Sequence, residues 1–134
     1  MDRIALDTTF LIDLQNERRL RGKARGAVAF LRAHPDSEFF LPTVALGEYL
    51  EGFDDPQSQD ARALVATLNV LEVTSEVAAL YAATTRTLRA TGRLIGTNDL
   101  WIGCTVKAAN LPILTRNVTH FRRIPELEVV DYAE

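Results

Sequence analysis

An α/β domain with a parallel central sheet covered on both faces is the fold class this sequence predicts. Short apolar runs recur along it, at Ile4-Ala5-Leu6, Phe39-Phe40-Leu41, Val70-Leu71-Glu72-Val73, Ile113-Leu114 and Val129-Val130. Stretches with apolar residues at helical spacing separate these runs, and strands that alternate with helices build a parallel sheet, here of about four to five strands. With 134 residues, 47% of them hydrophobic, the chain fits a single domain, residues 1–134, around one core.

Taken in order, Ile4-Ala5-Leu6 is a buried strand, and Thr8 to Leu14 continues as an apolar helix with Phe10, Leu11 and Leu14 on one face. Asn16 to Arg25 is strongly charged. Ala24 to Ala33 is a second helix, closed by His34-Pro35, and Phe39-Phe40-Leu41 is a strand that ends at Pro42. Thr43 is a good N-cap for a helix over Val44 to Gly52. After the turn Asp54-Asp55-Pro56, Ser58 to Leu68 is amphipathic and helical, and Val70 to Val73 is the third strand. Thr74 or Ser75 caps a long helix running to about Ala90, which Thr91-Gly92-Arg93 ends. Thr97 or Asn98 caps a helix running to about Ala109. Asn110-Leu111-Pro112 then turns into Ile113-Leu114, Phe121 and Ile124 belong to a short helix or turn, and Val129-Val130 is the last strand.

Composition narrows the function. No apolar run reaches the roughly 18 residues of a membrane span, and Met1-Asp2-Arg3-Ile4 lacks the order of a signal peptide. Cys104 is the single cysteine, in a helix rich in apolar residues, so no internal disulfide forms and a cytoplasmic protein is expected. A net charge of -3 excludes a polybasic nucleic-acid coat, but an acidic active site is compatible with it. Only Lys23 and Lys107 of the 15 basic residues are lysines, and arginine is the better bidentate partner for phosphate.

Three acids stand where such a sheet brings distant segments together. Asp7 follows the first strand, Glu48 lies in the helix after Pro42, and Asp99 opens the helix Asp99 to Val106. In open parallel sheets, sites form beyond the carboxyl ends of the strands, where Thr115 and Asn117 also fall. Two carboxylates about 4 Å apart repel by roughly 4 kcal/mol at an effective dielectric near 20, against about 5–15 kcal/mol of total stability for a small domain. A bare cluster of three is therefore costly, and a divalent cation with oxygen ligands relieves it. Mg²⁺, with Mn²⁺ as substitute, suits phosphodiester hydrolysis.

At these residues the sequence resembles the PIN-domain family, most closely the VapC-like toxic ribonucleases of bacterial toxin–antitoxin pairs. Leu6-Asp7-Thr8-Thr9-Phe10-Leu11-Ile12-Asp13, the Pro42 to Gly52 segment with Glu48, Asn98-Asp99-Leu100-Trp101-Ile102, and Leu114-Thr115-Arg116-Asn117 with His120-Phe121 carry the likeness across nearly the whole chain. The resemblance implies a three-layer α/β/α PIN-like fold and Mg²⁺- or Mn²⁺-dependent endonuclease action on RNA. By it, Asp7, Glu48 and Asp99 are metal ligands and catalytic acids, Thr9 holds the Asp7 loop, and Asn117 offers a carbonyl oxygen or orients a water; Thr115 and Asn117 are the further supporting candidates, with a strand end and a turn as their plainer readings. It implies a VapB-like antitoxin partner and a homodimer. Many members carry a further acid after the fourth strand, where this chain has Asn117 and His120, so a second metal is expected to bind weakly.

Other readings compete. Asp7 and Asp99 also suit helix N-termini, and Glu48 neighbours Glu51. Asp13 reads as a solvated or salt-bridged helix end, and Trp101 and Ile102 as core or dimer contacts. The basic run Arg18, Arg19, Arg21, Lys23, Arg25, together with Arg116 and His120, is the candidate RNA-contact set, with a solvated loop as the plainer reading for the run. At the level of function, the alternative is a PIN-like RNA- or protein-binding module whose site has decayed. A phosphoryl-transfer domain is a third class. It lacks support because Lys107 is mid-helix, Thr9 stands where a phosphatase wants a second Asp, and no phosphate loop, dinucleotide fingerprint or nucleophile elbow is present.

Overall fold

In a computed structural model describing residues 2–133, five strands form one sheet in the order β3-β2-β1-β4-β5, every pair parallel. The strands are β1 (Arg3–Leu6), β2 (Glu38–Pro42), β3 (Asn69–Leu71), β4 (Ile113–Thr115) and β5 (Val129–Asp131). The helices are α1 (Thr8–Arg18), α2 (Ala27–Ala33), α3 (Thr43–Glu51), α4 (Gln59–Val65), α5 (Ser75–Ala90), α6 (Thr97–Ala108) and α7 (Val118–Phe121). None is long and apolar enough to cross a membrane.

The chain moves outward from β1 to β3, then returns across β1 to β4 and β5. Right-handed crossovers put the connections of these two runs on opposite faces, and the packing agrees. Phe10, Leu11 and Leu14 of α1 gather with Leu31 of α2 and Leu64 of α4 beneath one face. On the other, Tyr81 of α5 stacks on Trp101 of α6 at 3.8 Å, and Gly103 of α6 admits Ile124 and Phe121. Ile4, Ala5, Leu6, Leu41, Ile113 and Leu114 are fully buried between the layers. Each such Leu or Ile contributes roughly 1.5–3 kcal/mol of apolar transfer.

The expected elements are present, with shifts at their ends that have local causes. α1 continues past Leu14 to Arg18. α2 starts at Ala27 rather than Ala24, because Gly26 is left-handed (φ 100°) and the Glu17 carboxylate accepts from the amides of Arg25, Ala27 and Val28. Thr43 is not the cap of α3. Pro42 occupies that position, and the Thr43 hydroxyl donates instead to Leu71 O at the end of β3. Neither Thr97 nor Asn98 caps α6. Gly96 does so without a side-chain bond, which leaves Asn98 free to turn toward Glu48. Of the two candidates Thr74 caps α5, and Ser58, expected inside its helix, caps α4.

Gly26 also meets the C-terminal segment: a Cβ there would collide with the Tyr132 carbonyl. Gly26→Ala is therefore expected to destabilise by about 2–4 kcal/mol, combining left-handed strain with displaced backbone. Urea unfolding would show this as a lower midpoint at unchanged slope.

Candidate active site

Asp7 ends the central strand and is 2% exposed. Its backbone amide stays in the sheet, donating to Leu114 O at 3.1 Å. Its side chain caps α1 by accepting from Thr8 N at 2.7 Å. The other oxygen, Oδ2, accepts from Thr115 Oγ1 at 2.7 Å and Thr9 Oγ1 at 3.0 Å. The capping role and a role in the cleft are thus properties of one carboxylate.

Glu48 reaches the same cleft from α3. Thr8 Oγ1 donates to its Oε1 at 2.6 Å, and Asn98 Nδ2 to its Oε2 at 3.1 Å. Asp99 stands in the first turn of α6, where Oδ2 is 3.0 Å from Asn117 Nδ2 and 3.1 Å from His120 Nδ1. Asp7, Thr8, Glu48, Asn98, Asp99 and Asn117 line a cleft of about 460 Å³, with Glu51 and Ile12 on its rim. A concavity of similar size beside Pro112 and Glu128, just before β4 and β5, lies at the opposite sheet edge and lacks this convergence of carboxylates from three elements.

Burial pushes the Asp7 carboxyl above the ordinary aspartate range, and the charge of Asp99 adds to the rise. The bonds from Thr115, Thr9 and Thr8 oppose it. Two negative groups thus feel one another across the cleft. Three carboxylates directly ligating one ion are nevertheless not found: among the described residues no three His, Cys, Asp or Glu side chains stand close enough. Local partners hold them apart: Thr8 and Asn98 donate to Glu48, and Asn117 donates to Asp99, with His120 Nδ1 in contact with both Asp99 and Asn117. All the available ligands are hard oxygens, and Mg²⁺ binds through one or two carboxylates while keeping several waters, so the donor set fits a hydrated divalent cation.

The other anticipated residues divide. Thr9, Thr115 and Asn117 lie in the site, and His120 touches Asp99. Arg116 does not line the cleft; its Nε is 2.6 Å from Asp13 Oδ2 and its Nη2 3.2 Å from Oδ1. Asp13 is salt-bridged, but it is 5% exposed in the middle of α1 rather than a solvated helix end. Arg18 and Arg19 lie at the far end of an 11-residue helix, about 16 Å along its axis from Thr8, beside Tyr49 and Asp60. Arg21, Lys23 and Arg25 follow in an exposed loop. Thr8 and Asn98, which hold Glu48, were not anticipated. The signal was adjacency, since each directly neighbours an acid of the cleft.

An open parallel sheet with carboxylates gathered at its carboxyl edge defines the class: an acidic-cleft α/β domain of the kind that handles phosphodiesters. A model of the PIN domain matches residues 4–127, and the chain belongs to the PIN-domain family. Ribonuclease VapC1 of Haemophilus influenzae strain R2866 is 31% identical over 105 residues, 75% of this chain and 78% of that protein. Ribonuclease VapC1 of Methanocaldococcus jannaschii is 26% identical over 131 residues, 97% of this chain and 87% of that protein. The solved structure of VapBC-1 from nontypeable Haemophilus influenzae superposes with a TM-score of 0.81 at 26% identity, covering 98% of this chain and 99% of that one.

The electrostatics give a sign for pH dependence. A raised folded value means that the folded chain holds the Asp7 proton more tightly than the unfolded chain. The resulting stability is full below the ordinary value of 3.8 and is lost as pH rises through the raised one. Asp7→Asn is therefore expected to raise the cation-free Tm at pH 7 by a few degrees, a gain that vanishes on acidification below the Asp7 titration. Thermal melts across pH check this, and a wild type that is the more stable at pH 7 without cation contradicts it.

Proposed function

We propose that this chain is a metal-dependent endoribonuclease that hydrolyses RNA phosphodiester bonds, and the toxin half of a VapBC-type pair. The observation that carries this reading is the convergence of Asp7, Glu48 and Asp99 from β1, α3 and α6 on one cleft, in a PIN-family chain whose relatives are named ribonucleases. Asp7, Asp99 and Glu48 would hold Mg²⁺, or Mn²⁺ in its place, one or two of them directly and the remainder through its retained waters. When bound, the ion supplies Lewis-acid stabilisation of phosphoryl charge and an acidified water.

The chain's own residues do the positioning. Thr9 and Thr115 keep Asp7 Oδ2 oriented, while Thr8 and Asn98 hold Glu48 between α1 and α6. Asn117 and His120 fix Asp99. The exposed Arg18, Arg19, Arg21, Lys23 and Arg25 would take phosphates along the strand away from the scissile bond, which adds salt-dependent affinity without sequence readout. A VapB-like antitoxin covers the cleft in the inhibited complex, and a homodimer joins two clefts into one groove.

RNA cleavage by the purified chain should require Mg²⁺ or Mn²⁺ and stop with EDTA. Asp7→Asn, Glu48→Gln and Asp99→Asn should each lower kcat by at least a hundredfold. Cleavage that survives EDTA or Asp7→Asn sinks the reading. A protein inert on RNA that still binds it would support the decayed binding module instead.

Asn117 brings a donor where a further acid would bring charge. Asn117→Asp should consequently tighten Mn²⁺ binding while lowering the cation-free Tm, because the new carboxylate faces Asp99. Calorimetric Mn²⁺ titration with parallel melts tests both halves.

A further inference from the structure

We propose that Arg116 is a positioning residue that sets the separation of the Asp7 and Asp99 carboxylates, anchored by a buried clamp of Asp13 and Tyr132. The proposal rests on the reading of the cleft as a metal site.

Thr115, Arg116 and Asn117 are consecutive, and each makes a different connection. Thr115 Oγ1 donates to Asp7 Oδ2 at 2.7 Å, and Asn117 Nδ2 donates to Asp99 Oδ2 at 3.0 Å. Asn117 N also donates to Thr115 Oγ1 at 2.8 Å, which closes the segment on itself. These three residues therefore form a strut with one carboxylate at each end. Arg116, at its middle, makes a two-point fork on Asp13 at 2.6 and 3.2 Å.

The anchor is firm. Asp13 is 5% exposed, and its Oδ2 also accepts from Tyr132 Oη at 2.6 Å. Tyr132 is itself buried, with its ring edge-on to Phe10 at 4.9 Å. Burial and the bond to Asp13 push the Tyr132 phenol well above its usual range, so it stays a donor at any physiological pH. The acceptor is buried while the Arg116 side chain is 34% exposed, so the bidentate, charge-assisted geometry is what makes the pair strict. A second connection points at the site: Arg116 N donates to Thr9 Oγ1 at 3.3 Å, and Thr9 Oγ1 donates to Asp7 Oδ2. A fork that served only to join α1 to the C-terminal segment would have no need to come from the residue between the two carboxylate donors.

Two variants and a control decide this. Arg116→Lys keeps the charge and loses the fork. Tyr132→Phe keeps the fork and loses the second bond on Asp13. Val77→Ala opens a cavity in α5, which contributes nothing to the cleft, and supplies a destabilised comparison. Mn²⁺ affinity by calorimetry without RNA, cation-free Tm, and the kcat and KM of cleavage are measured on the full chain. Arg116→Lys should weaken Mn²⁺ binding about tenfold, the lower end for loss of a residue that orients metal ligands, and reduce kcat rather than raise KM. Tyr132→Phe should weaken it less, and Val77→Ala should keep wild-type affinity whatever its loss of Tm. If Arg116→Lys fails to fold, Tyr132→Phe against Val77→Ala makes the same comparison. Wild-type Mn²⁺ affinity in both clamp variants, or an equal loss in Val77→Ala, overturns the proposal. So does a rise in KM alone, which would assign Arg116 to RNA contact. A wild type that neither binds Mn²⁺ nor cuts RNA overturns the metal reading of the cleft and this inference with it.

Discussion

Asp7 is a carboxylate almost wholly withdrawn from water at the end of the central strand, and the rest of the site is arranged around the cost of keeping it there. Its backbone belongs to the β1–β4 ladder and its side chain to the first turn of α1, so it cannot leave without fraying both. Three hydrogen bonds lower the cost of ionising it, while burial and Asp99 raise that cost. A net surplus of negative charge in a polar cleft is a standing demand for a cation. The sheet order follows the same logic: β1 lies between β2 and β4, so α3 and the Thr115-Arg116-Asn117 segment both emerge beside it.

Most of this was legible in the sequence because apolar runs, prolines and strand-end acids are local signals. β1, β2, β4 and the long helix α5 fall where periodicity puts them, and the three acids share a cleft as strand-end placement requires. What sequence could not supply was the direction of side chains. Thr43 and Asn98 look like caps, but neither is one, because neighbouring elements offer better partners: Leu71 O for the first and Glu48 for the second. Arg116 reads in sequence only as a cation, and its fork on Asp13, 103 positions away, is invisible there. Asp13 reads as a solvated or salt-bridged helix end; the salt bridge is there, but Tyr132 from the C-terminal segment also bonds it and it is buried. Each of these cases concerns a polar group whose partner comes from a remote part of the chain.

The three-dimensional arrangement also bears on the phosphoryl-transfer class. Lys107 belongs to the end of α6 farthest from Asp99 and lines the concavity at the amino edge of the sheet, so no lysine serves Asp7 as a receiver domain would need. Thr9, in the place a phosphatase gives to an acid, is spent on orienting Asp7. The acids that remain are spaced by hydroxyl and amide donors rather than crowded on one point. That spacing favours an ion that retains much of its water over one stripped bare.

The supports of Asp7 Oδ2 are hydroxyls, not amides or cations. A threonine Oγ–H is a rotor, donor in one orientation and acceptor in another. Thr9 and Thr115, whose oxygens are 3.5 Å apart, can exchange those roles between themselves as well as with Asp7. The cleft can thus pass from a protonated to an ionised aspartate by turning two O–H bonds, with no heavy atom displaced. An arginine in either place would have frozen Asp7 as an anion, whereas two hydroxyls leave its charge free to follow whatever enters the cleft.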